Sequence, residues 1–215
     1  MMRALSITTI TALVALASAC NLVEPKEPLA RAEARWTQCS PCHGHDGHGK
    51  LIQAAPPVAG LPAWYVESQL MKYRAEIRGS HYDDIKGLRM KPMAMALPSD
   101  QDVKDMAAYV ATLAPAPNAA ATISGYGPNA ASTFNLCVAC HGADGAGNKV
   151  LNAPPIAGQP DWYVYEQLKK FKAGVRGANP KDVTGAQMRA IALGLGDDNA
   201  LHDLARYVAD LPVKR

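Results

Sequence analysis

The 215-residue chain reads as an all-α protein made of two tandem copies of one small domain. Three observations carry this. Sliding the sequence by 98 positions superimposes residues 39–113 on 137–211 without a gap, and 34 of the 75 aligned positions are identical. Within each copy, apolar residues recur at three- and four-residue spacings, as on one face of a helix. Neither copy has a convincing run of alternating apolar and polar residues, the pattern of a half-buried strand. Two copies of so long a repeat are too few for a solenoid, so the expectation is two domains of one fold.

Residues 1–20 hold Arg3, an apolar stretch over 4–17, and then Ala17-Ser18-Ala19-Cys20. This is the layout of a secretory signal, which predicts an exported mature protein. Leu16 and the small residues before Cys20 resemble a bacterial lipobox, in which Cys20 becomes the acylated N-terminus and tethers the protein to a membrane. No other stretch approaches the roughly 20 apolar residues of a membrane span. The first domain is taken as residues 21–113, the Ala/Pro/Gly-rich residues 114–129 as a linker, and residues 130–215 as the second domain.

Within the first copy, residues 30–38 form a candidate opening helix, with 130–136 as its counterpart. Residues 64–74 (WYVESQLMKYR) and 162–172 carry helical periodicity. Ser99-Asp100-Gln101-Asp102 and Asp197-Asp198 supply N-cap and first-turn acidic side chains for a closing helix in each copy. With 48% hydrophobic residues but two phenylalanines, each copy must fill its small core with something other than aromatic rings. The balance of 22 basic against 19 acidic residues argues against an electrostatic nucleic-acid binder.

The chemistry lies in Cys39-Ser40-Pro41-Cys42-His43 and Cys137-Val138-Ala139-Cys140-His141. Cys-x-x-Cys-His is the c-type haem attachment motif. Thiols three positions apart on a helical turn can each form a thioether with a haem vinyl group, while the adjacent imidazole meets the iron from the same side. A shared structural zinc is disfavoured by the 94 residues between Cys42 and Cys137. A thioredoxin-like pair wants a βαβ context, and structural disulfides would leave the repeated histidines without a role. The expectation is two covalently bound haems.

The repeat also filters the sixth iron ligand. Met71, Met93, Met95 and Met106 align with Lys169, Ile191, Leu193 and Leu204, whereas Met90 matches Met188, each 47 residues after its histidine. Met90 and Met188 are the candidate ligands, and Met93 and Met95 read as core filler. His45 and His48 align with alanines, which disfavours bis-His ligation; His81 and His202 also lack partners and read as surface residues. A His/Met pair saturates the iron and raises its potential relative to harder ligand pairs, which suits electron transfer better than oxygen or peroxide chemistry.

Other recurring residues invite lesser roles. A carbonyl of the Pro56-Pro57 or Pro154-Pro155 stretch is a candidate acceptor for the histidine Nδ1 proton. The indoles of Trp64 and Trp162 fit either a haem propionate or the core. Arg78 and Arg176 fit a propionate or a solvated surface. Lys169, Lys170, Lys172 and Arg176 read as a basic face on the second copy, able to steer a partner.

With both motifs, both methionines and the duplication in place, the chain resembles the cytochrome c4 family of dihaem class I c-type cytochromes. Stretches such as CHGHDGHG, APPVAGLPAWYVESQL and MKPMAMALPSDQDVKDMAAYV carry the resemblance, together with their counterparts in the second copy. It implies two cytochrome c domains related by a pseudo-twofold, with haem edges close at their interface, and a periplasmic location. It also implies electron delivery from a quinol-oxidising complex or dehydrogenase to a terminal oxidase. The rival readings are a haem subunit of a periplasmic oxidoreductase and a dihaem peroxidase-like enzyme; the latter needs an open or unusual site on one haem.

Overall fold

The computed structural model describes residues 26–213, and the signal segment with Cys20 lies outside them. Those residues form nine α-helices and no strand. The first half contains α1 (Pro28–Trp36), α2 (Ser40–His43), α3 (Ala63–Arg74), α4 (Ile85–Met95) and α5 (Asp100–Thr112). The second contains α6 (Ala130–His141), α7 (Asp161–Lys172), α8 (Val183–Leu193) and α9 (Asp198–Asp210).

The halves differ at their start. Helix α6 runs unbroken through the Cys-x-x-Cys-His motif, whereas the first half breaks into α1 and α2. Pro41 stands where the second half has Ala139. A proline there has no N–H to give the carbonyl four residues back, and its ring crowds that carbonyl, so the helix must restart. The closing helices begin as their sequences require: Ser99 accepts from Asp102 N and Asp197 from Ala200 N.

In each half the closing helix packs on the opening helix and on the long middle helix: α5 on α1 and α3, α9 on α6 and α7. Trp36, Leu70, Val103, Met106 and Val110 are buried in the first core; Phe134, Leu168, Leu201, Leu204 and Val208 are buried in the second. Met93 and Met95 do not join the core. Met93 lines the cavity that also holds Met90, and Met95 is 54% exposed on α4, whose buried positions are Gly87 and Ala94.

Residues 114–129 contain no helix, yet they are fastened to the second half. Asp161, 1% exposed at the start of α7, accepts from the backbone N–H groups of Thr122 and Ile123 and from Thr122 Oγ1, each at 2.7 Å. Tyr126 meets the Tyr207 ring edge-on at 5.4 Å, and Asn118 donates to the Ala209 carbonyl.

Candidate dihaem site

Each Cys-x-x-Cys-His segment ends in a glycine with positive φ, Gly44 or Gly142, and the following loop doubles back over the histidine. Gly49 N donates to the His43 carbonyl and Gly147 N to that of His141. A Cβ on Gly49, at φ +78°, would stand 2.6 Å from Ala55 O and Pro57 N; Gly147 is equally crowded by Pro155 N. The close approach brings the first proline of each pair to the imidazole. His43 Nδ1 is 2.9 Å from Pro56 O and His141 Nδ1 is 2.8 Å from Pro154 O. A carbonyl can only accept, so Nδ1 carries the proton and Nε2 keeps its lone pair for a metal. Burial holds both histidines below their ordinary pKa, against a smaller opposing effect of these hydrogen bonds, which keeps the rings neutral.

None of the four motif cysteines is in a disulfide. Cys42 and Cys140 are exposed, while Cys39 and Cys137 are half-buried and pushed up to about 11, first by burial and then by the neighbouring Cys42 or Cys140.

All four motif cysteines, both histidines, Met90 and Met188 line one continuous, predominantly apolar cavity that runs through both halves. This fits two flat, largely apolar macrocycles whose only strongly polar edges are carboxylates. The methionines are delivered by α4 and α8, which carry Met90 and Met188 in the middle of each helix. Sequence periodicity missed these helices, in which Gly87 and Pro92 interrupt the pattern of α4 and Gly185 that of α8.

The meeting surface of the halves is polar and doubly symmetric. Arg78 donates to Gln69 at 2.8 Å and reaches Gln167 and Tyr163 across the interface; Arg176 donates to Gln167 at 2.8 Å and to Gln69 at 3.0 Å. Both arginines are half-buried and engaged at the interface rather than extended into solvent. Each guanidinium lies over an aromatic ring of its own half, Tyr73 at 4.7 Å and Phe171 at 4.5 Å. Their hydrogen-bond partners among the described residues are neutral, and Arg78 Nε is buried with none. Burial alone would raise the Tyr65 hydroxyl, but Arg176 and Arg78 outweigh it and hold the group below the ordinary phenol range. Two half-buried positive charges lining the cavity fit a ligand that brings carboxylates.

The expected basic face of the second half is engaged in contacts within the molecule, with Lys169 still half exposed. Lys170 is 2.7 Å from Asp84 and 2.5 Å from Glu166, Lys172 donates to the carbonyls of Leu195 and Gly196, and Lys169 is held by Tyr165 and Asp198. These cations are spent on intramolecular contacts. Lys86 likewise pairs with Glu166 and lies over the Trp162 ring. Trp64 and Trp162 are half-buried and line, respectively, the shared cavity and the cleft beside it. Sequence reasoning passed over Tyr65/Tyr163, Gln69/Gln167, Lys72/Lys170 and Asp84/Asp182, although each pair recurs at the 98-residue offset. That recurrence in polar residues was the available signal.

Comparison with known proteins agrees with this geometry. A family model described as cytochrome c matches residues 30–114 and again 129–212. The chain is 32% identical over 187 residues to a thiosulfate dehydrogenase electron acceptor of Stutzerimonas stutzeri, covering 82% of this chain and 80% of that protein. It is 30% identical to cytochrome c4 of Thiocapsa roseopersicina, covering 84% and 90%. Among solved structures, a thiosulfate dehydrogenase of Marichromatium purpuratum matches with a TM-score of 0.69 and 33% identity over 86% of this chain. This chain spans 40% of that longer one.

Proposed function

The chain belongs to the cytochrome c family as a dihaem, cytochrome c4-like electron carrier, and we propose that it passes single electrons from a periplasmic dehydrogenase or quinol-oxidising complex toward a terminal oxidase. One observation carries the proposal: the same Cys, Cys, His and Met set recurs in both halves around a single cavity that crosses their interface. Cytochrome c domains hold haem c covalently, and two domains hold two.

Cys39, Cys42, Cys137 and Cys140 are assigned to the thioethers, and His43, Met90, His141 and Met188 to the iron axes. When bound, haem c supplies a one-electron couple at an iron whose coordination is filled. The chain's own part is to hold. The Pro56 and Pro154 carbonyls fix each imidazole's tautomer and plane, α4 and α8 bring Met90 and Met188 to the cavity, and Arg78 and Arg176 would be the residues to hold the carboxylates of a bound haem. A fixed ligand set in a mostly apolar cavity leaves little to rearrange when the charge changes. Among the described residues no helix is long and apolar enough to cross a membrane. Acylation at Cys20 is therefore the proposed tether, read by mass spectrometry of the mature N-terminus.

The name of the Stutzerimonas stutzeri relative favours a thiosulfate-oxidising dehydrogenase as donor. Rapid mixing of the oxidised holoprotein with such a dehydrogenase and thiosulfate tests this choice. Uptake of two electrons per chain at a rate that rises with dehydrogenase concentration is expected. Reduction by a quinol-oxidising complex with none by the dehydrogenase would contradict the choice of donor.

A further inference from the structure

Each methionine-bearing helix is capped by its own half and gripped by the other. Asp84 caps α4 by accepting from Gly87 N at 3.0 Å, and the same Oδ1 receives Lys170 Nζ of α7 at 2.7 Å. Asp182 caps α8 by accepting from Gly185 N at 3.0 Å, and its Oδ1 receives Lys72 Nζ of α3 at 2.6 Å. The two arrangements are exchanged by the 98-residue repeat, and in both the lysine comes from the opposite half.

The contacts are buried. The side chains of Asp84 and Asp182 are 3% and 2% exposed, those of Lys170 and Lys72 13% and 15%. A second contact steadies each ammonium: Lys170 also pairs with Glu166, and Lys72 donates to Thr184 Oγ1 at 2.6 Å. The capped turns have little freedom to shift. A Cβ on Gly79 would lie 2.5 Å from Gly87 O, and one on Gly177 would lie 2.2 Å from Gly185 O, so the Arg-Gly turn of the same half already presses on the helix start. Met90 and Met188 each follow their capping aspartate by six residues. At about 1.5 Å of rise per residue, a displacement of the cap is carried to the thioether with little loss.

We propose that Lys72 and Lys170 are crossed positioning residues: each sets the methionine-bearing helix of the opposite half, so that the iron–sulfur bond at one haem depends on a side chain of the other domain. The inference rests on Met90 and Met188 being the sixth ligands. A helix cap exchanged this way makes the two centres sense each other through the chain as well as through space.

The test uses the reduced holoprotein and the NMR signals of the two iron-bound methionine ε-methyl groups, assigned with Met90→Ala and Met188→Ala. Lys170→Met is expected to shift or broaden the Met90 methyl and leave the Met188 methyl in place; Lys72→Met is expected to do the reverse. Lys170→Arg and Lys72→Arg should bring each signal back toward its wild-type position. Glu166→Gln leaves both lysines in place, removes the second contact of Lys170 and serves if a lysine variant does not fold; it should shift the Met90 methyl of the opposite half alone. Perturbation confined to the half that carries the substitution, or no change at either methyl, would overturn the proposal. A wild-type protein showing fewer than two such methyl signals would overturn the ligand assignment itself, and that result is read before any lysine variant is made.

Discussion

Pro56 and Pro154 each spend a main-chain carbonyl on an imidazole, and that contact decides what His43 and His141 can do, because it pins the proton on Nδ1 and leaves Nε2 for iron. At the same scale, the equivalence of Met90 and Met188 predicts that Met188→Ala removes half of the weak far-red Fe(III)–Met absorption of the oxidised protein. Loss of all or none of it would show that the halves are not equivalent. Arg78 and Arg176 place positive charge beside the cavity without carboxylate partners among the described residues. Nearby positive charge disfavours ferric haem, so Arg78→Gln should lower the midpoint potential. The expected size is on the order of a tenfold change in the one-electron equilibrium, or about 59 mV, read by redox titration. The proposed ligand residues were read from motif spacing and from recurrence at the 98-residue offset, and all of them line one cavity. The setting of the arginines was not legible there, since whether a guanidinium faces water or another domain depends on contacts with Gln69 and Gln167 that no local pattern encodes.

Helix α7 is the element on which the second half is assembled, and its first residue holds the linker. Burial would raise the Asp161 carboxyl, but hydrogen bonds from Ile123, Thr122 and Trp162 outweigh it and hold the pKa below the usual range. A carboxylate depressed in the folded state stabilises the protein above its unfolded value, and the contribution is lost as pH falls through the folded one. Asp161→Asn should therefore cost about 2 kcal/mol near neutral pH, with the gap to wild type closing below a pH of about 4. Thermal unfolding across that range measures it, and a pH-independent gap would contradict the role given to the charge. The caps of α5 and α9 were readable from Ser99 and Asp197. Helices α4 and α8 were not, because glycines and Pro92 break their pattern, while their Asp84 and Asp182 caps and their packing on α3 and α7 are visible only in the structure.

The whole molecule is a duplication whose halves have become dependent on each other. The 98-residue offset made the two-domain plan visible from sequence, since identity at equal spacing needs no structure to detect. What it left hidden is the interface, where Lys72, Lys170, Asp84, Asp182 and the arginines and glutamines pair across positions far apart in the chain. Lysines 169, 170 and 172 show the cost of reading charge without contacts, for Lys170 is turned into the interface and the other two are paired within their own half. Two equivalent His/Met centres, each exchanging one electron, are the claim from which the proposed role follows. Electron paramagnetic resonance of the oxidised holoprotein, calibrated against total haem, tests it most directly. Two low-spin ferric centres per chain, accompanied by the far-red Fe(III)–Met absorption, are predicted; a high-spin ferric signal from either haem would contradict the claim and point to an open, catalytic iron.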